Sequence, residues 1–136
     1  MDERLHEAML SRLEDGKLPC SRAFAIARRL GLDPLTVGMA ADEASIRISQ
    51  CQLGLFGYGP KAEGKHKIVH AMDEVPERLA GRLRSEAEAG NITCAAVWRV
   101  ADALHYQRLK TSSAVEAMGL RVSDCQLGCF PRPWKG

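Results

Sequence analysis

Displaced by 74 positions, this chain falls on itself without a gap over a unit of 56 residues. Glu3, Arg4 and Leu5 land on Glu77, Arg78 and Leu79, Gly16 on Gly90, and Cys20 on Cys94. Ala27, Leu30, Leu35, Ala40, Arg47 and Ser49 land on Ala101, Leu104, Leu109, Ala114, Arg121 and Ser123. The run Cys51-Gln52-Leu53-Gly54 then meets Cys125-Gln126-Leu127-Gly128, and Phe56 meets Phe130. Exchanges between the copies keep their apolar character, as in Phe24 with Trp98, Met9 with Leu83 and Ile48 with Val122. The expected organisation is a duplicated unit, residues 2–57 and 76–131, with a linker over 58–75 and a tail over 132–136. A 56-residue unit buries little on its own, so the copies are expected to pack about a pseudo-two-fold axis. One intertwined domain and two separate ones both satisfy that expectation.

Composition narrows the class. Apolar residues make up 46% of the 136 and aromatics only 5%, which favours close-packed helices over sheets. The formal charge of +2 is too small to imply a polyanionic partner by itself. The first copy carries seven basic and eight acidic residues and the second seven and six, with Arg132 and Lys135 in the tail. No leader-like segment and no apolar stretch near membrane-spanning length is present, so a cytoplasmic protein with no membrane contact is expected. In that setting the five cysteines are expected as thiols rather than disulfides.

Apolar spacing places a first helix over residues 2–15, with Leu5, Met9 and Leu13 on one stripe and a stop at Gly16. Its counterpart begins at Pro76 and stops at Gly90. A second helix is expected over Ser21 to Leu30 and Ala95 to Leu104, and a third from Pro34, matched in the later copy by the stretch through Leu109, Ala114 and Val115. Ile46 to Ser49 and Leu120 to Ser123 alternate as short strands, and the expectation is that they pair with each other across the pseudo-two-fold. The fold class expected is mainly α: a duplicated three-helix unit with a short β segment after the third helix.

Ala27, Leu30, Gly31, Leu32, Val37, Ala40 and Ala41, at their spacings, resemble the bacterial helix-turn-helix of homeodomain-like regulators. In that motif a small residue admits close helix approach, glycine makes the turn, and an aliphatic residue seats the recognition helix. The second copy keeps Ala101 and Leu104 but has His105 for the glycine and Thr111 for Val37. The resemblance covers about twenty residues per copy and implies duplex DNA as a partner.

Under that resemblance the first copy would offer Asp33, Leu35, Gly38, Met39 and Asp42 to a groove, a poor face for phosphate or guanine and a better one for protein. The second would offer Gln107, Arg108, Lys110, Ser112 and Ser113, of which Arg108 suits guanine or phosphate and Gln107 adenine. The plain alternative is a solvated turn and helix start, with Thr111 or Ser112 near the N-cap. Arg47 and Arg121 occupy equivalent positions on the short strands and are further candidates for phosphate contact.

Cys20, Cys94, Cys51 and Cys125 are symmetrically placed, and Cys129 has no counterpart, Leu55 standing there. Structural zinc prefers close cysteine pairs, and these cysteines are mostly isolated, so small buried apolar residues are expected and no metal. With Phe56 and Phe130 they are expected to serve architecture. Cys20 or Cys94, at a helix start, would have some thiolate character, but with no placed base either makes a weak nucleophile. No glycine-rich phosphate loop or histidine and carboxylate constellation appears, so neither an enzyme nor a cofactor is expected. The functional expectation is a small DNA-binding or transcription-associated protein. A protein-interaction module, with another protein or a second copy, is the alternative, and a cysteine-based metal or redox-responsive protein the third reading.

Overall fold

A computed structural model describes residues 2–130, and the tail with Arg132 and Lys135 lies outside the described residues. The chain is mostly helical, with six α-helices and four very short strands among the described residues. Helix α1 (Glu3–Leu10) starts where the Asp2 side chain accepts a hydrogen bond from the Arg4 amide at 2.8 Å. It buries Leu5 and Met9. It stops well before Gly16, correcting the longer helix expected from the sequence. Glu14 and Lys17 exchange backbone hydrogen bonds of 2.7 and 3.0 Å across a tight turn. Asp15 (φ 53°) and Gly16 (φ 77°) are left-handed there, which a right-handed helix does not accommodate. Helix α4 (Glu77–Glu86) ends for the same reason, before Ala89 (φ 53°) and Gly90 (φ 83°).

These turns deliver the chain into β1 (Leu18–Pro19) and β3 (Asn91–Thr93). Strand β1 pairs in parallel with β2 (Ile48–Ser49), and β3 with β4 (Arg121–Ser123). The expected pairing of β2 with β4 is therefore not the one formed. Each strand instead meets the segment just before the second helix of its own half. Leu18 and Ile92, 0% and 1% exposed, anchor those segments in the core and fix the register.

Helices α2 (Cys20–Leu30) and α3 (Pro34–Glu43) pack on α1, and α5 (Cys94–Leu104) and α6 (Arg108–Ala117) pack on α4. Helix α2 closes on Gly31 (φ 67°) and α5 on His105 (φ 61°), both left-handed caps. Pro34 begins α3 at the position where a missing N–H costs nothing. Gln107, not Thr111 or Ser112, caps α6, because both of those side chains point inward and are fully buried.

Two apolar cores result, and each takes in residues from the other half. Leu127 lies among Leu5, Met9, Leu18, Ile26 and Val37, while Cys51 and Leu53 lie among Leu79, Leu83, Val97, Val100 and Val115. The two Cys-Gln-Leu-Gly loops thus cross over. Gly38 in α3 makes the first crossing possible, since a Cβ there would run into the Leu127 carbonyl group. The linker follows the second crossing: Ile68 and Val69 amides donate to the Gly54 carbonyl at 2.9 and 3.1 Å, and the Met72 amide to that of Ser113 at 3.0 Å. No helix among the described residues is long and apolar enough to cross a membrane.

Candidate functional site

Helix α6 buries Thr111, Ser112, Ala114 and Val115 and leaves Leu109, Lys110 and Ala117 exposed, beside the exposed Gln107. Ser112 is consequently removed from any surface role: its Oγ is buried and has no hydrogen-bond partner among the described residues. Ser113 is half-buried, and its hydroxyl donates back to the Leu109 carbonyl at 3.2 Å. Glu116, the one acid on this helix, forms an ion pair with Lys67 of the linker. Arg47 and Arg121 are both exposed, each beside or at the start of its short strand. On α3 the exposed positions include Leu35 (44%) and Met39 (42%).

Arg108 is not a free cation. Its guanidinium carbon lies 3.6 Å from the centre of the Trp98 ring, and its nitrogens donate to Gln52 Oε1 at 2.9 Å and Asp102 Oδ2 at 3.2 Å. Stacking and a planar fork of donors suit arginine, not lysine, to this place. The Trp98 ring in turn lies 4.3 Å, centre to centre, from Phe24, and Phe56 meets Phe130 edge to face at 6.2 Å. Both pairs join residues that coincide under the 74-residue displacement. Arg108 is therefore a bolt between the halves, which local spacing in the sequence could not reveal, Gln52 lying in the other copy.

The cysteines gather at the same junction. Gln52 Nε2 donates to Cys20 Sγ at 3.9 Å and Gln126 Nε2 to Cys94 Sγ at 3.5 Å, while Cys51 packs in the core that holds Cys94 and Cys125 against the one that holds Cys20. The five cysteines are thiols rather than disulfides. Among the described residues no group of three or more His, Cys, Asp or Glu is placed to hold a metal ion. Burial pushes the Cys20 thiol up to about 12 and Cys94 to about 11, and raises Cys51. The thiolate expected at the helix starts is thus corrected: desolvation outweighs the field of a helix end there.

Cys125 is the thiol that is lowered instead, to about 6, by a hydrogen bond with the Cys129 side chain, against the opposing effect of burial, and by the backbone amides of Cys129, Leu127 and Gly128. Its loop is closed by the Gly128 amide on the Cys125 carbonyl at 2.9 Å and the Cys125 amide on the Phe130 carbonyl at 2.8 Å. The first copy closes its loop likewise, Gly54 on Cys51 at 2.9 Å and Cys51 on Phe56 at 3.2 Å, but has Leu55 where Cys129 stands. The second thiol four residues on was the sequence signal for this difference. Cys129 also lines an open cleft of about 770 Å³, together with Arg47, Lys61, Leu127 and Phe130. Compared with protein-family models, curated proteins and solved structures, the chain matches none of them.

Proposed function

We propose that the chain is a small DNA-binding, transcription-associated protein made of two helix-turn-helix-like units about a pseudo-two-fold axis, the second unit making the more direct contact. The observation that carries this reading is the recurrence of helix, left-handed cap, short turn and helix. Residues Cys20–Leu30 and Pro34–Glu43 recur as Cys94–Leu104 and Arg108–Ala117, with Gly31 and His105 in the same conformation. The mutual contacts of Phe24 with Trp98 and of Phe56 with Phe130 support a pseudo-two-fold between the units. The outer face of α6 offers Gln107 and Lys110, and the pairing of Glu116 with Lys67 removes its one repulsive charge. Arg108 stays within the protein, so phosphate contact falls to Lys110, Arg121 and Arg47.

Titrating a labelled duplex with the protein at several salt concentrations tests this. Binding should weaken steeply with salt, and Lys110→Ala with Arg121→Ala should flatten the log–log slope by roughly 0.9 per lost phosphate contact. Affinity that ignores both substitutions, or no binding at low salt, would count against it. The exposed Leu35 and Met39 on α3 favour a protein contact for the first unit. On that second reading duplex binding is absent, and Met39→Asp abolishes capture of the partner.

A further inference from the structure

Two thiols lie side by side in the second Cys-Gln-Leu-Gly loop and nowhere in the first. We infer that Cys125 and Cys129 form a redox-modification site, a dithiol that reduces hydroperoxides and closes to a disulfide across its own loop. Both thiols stand four residues apart in one tight loop, closed by the Gly128 amide on the Cys125 carbonyl at 2.9 Å and the Cys125 amide on the Phe130 carbonyl at 2.8 Å. The Cys129 side chain with the backbone amides of Leu127, Gly128 and Cys129 lowers the Cys125 thiol. That cradle stabilises negative charge on one sulfur while the other keeps a proton. The loop is held shut from Cys125 to Phe130, so the thiols stay within reach of each other without a change of fold. Cys125 is half-buried rather than sealed, and Cys129 opens onto the cleft beside Arg47 and Lys61, which gives a small oxidant a way in.

The chemistry balances with the hydroperoxide as the only added reagent. The Cys125 thiolate attacks the outer peroxide oxygen, the O–O bond breaks, and the leaving alkoxide or hydroxide takes up a proton. Cys125 is then a sulfenic acid. Cys129 attacks that sulfur, its thiol proton leaves with the hydroxyl as water, and the S–S bond forms. Two thiols and one hydroperoxide yield one disulfide, one alcohol or water, and one further water. The first copy is an internal control. Cys51 sits in an equivalently closed loop, yet Leu55 replaces the second thiol and the Cys51 thiol is raised instead. Leu127, which plugs the first core, lies between the two reacting residues, so oxidation acts on the loop that ties the halves together.

Reduced protein treated with one equivalent of hydrogen peroxide should lose about 2 Da, within the tryptic peptide that carries both thiols. The Cys129→Ser protein should instead stop at a sulfenic acid on Cys125 that a dimedone probe captures, and Cys51→Ser should behave as wild type. The pair should react at least ten-fold faster than Cys20 or Cys94. Circular dichroism of each variant separates loss of the thiol from loss of the fold. A folded wild type whose Cys125 stays reduced, or whose disulfide joins Cys125 to any other cysteine, overturns the inference. So does a folded Cys129→Ser protein in which dimedone labels Cys125 no more than Cys51.

Discussion

His105 holds a left-handed cap where the first half has Gly31, and a side chain there carries a backbone penalty that glycine avoids. His105→Gly should therefore raise stability by about 1 kcal/mol, read from the urea midpoint at constant slope. Arg108 shows the opposite economy, one guanidinium serving Trp98, Gln52 and Asp102. Arg108→Lys should cost about 1–3 kcal/mol, because lysine neither stacks nor forks, and so should be nearly as harmful as Arg108→Ala. The thiols set a pH dependence of defined sign. Cys125, depressed to about 6, adds stability that is fully present above the unfolded thiol range and is lost as pH falls through its folded value. Cys20 and Cys94, raised to about 12 and 11, favour the neutral form, so their contribution is lost as pH rises above the unfolded range. Under reducing conditions thermal unfolding should show stability climbing from about pH 6 and falling again above about pH 9. A monotonic rise to pH 10 would show that the buried thiols are not desolvated as described.

At the level of elements, the helices around each short turn were legible because Pro34, Gly31 and the apolar spacing of Ala27, Leu30 and Val37 all agree. The ends of α1 and α4 were not, because an apolar stripe runs on through Leu13 although α1 ends at Leu10 and the chain then turns at the left-handed Asp15 and Gly16. The strands after α3 and α6 could be read from alternation, but not their partners. Leu18–Pro19 and Asn91–Thr93 are too short to show a period of two. Of the candidate surface, Lys110, Gln107, Arg47 and Arg121 are exposed, whereas Ser112 lies inside and Arg108 is engaged, since burial on a helix follows tertiary contacts that polarity alone does not report. Helix α3 carries its own test. Gly38→Ala places a methyl group against the Leu127 backbone and should cost about 1–3 kcal/mol through overpacking, although alanine is the better helix former. A stabilised Gly38→Ala protein would mean that the loop does not lie on α3.

For the whole molecule, the crossing of the two Cys-Gln-Leu-Gly loops matters most. Leu127 completes the core of α1, α2 and α3, and Leu53 that of α4, α5 and α6, so neither half can be removed without opening the other. The same crossing brings Gln52 to Arg108 and sets the thiols at the junction. Truncating a buried leucine costs about 2–5 kcal/mol, and where that loss is felt identifies the core it belonged to. Amide hydrogen exchange on Leu127→Ala tests the arrangement most directly. The account predicts faster exchange across α2 and α3, which end more than eighty residues before Leu127 in the sequence, and little change in α5 and α6. Faster exchange confined to α5 and α6 would contradict it.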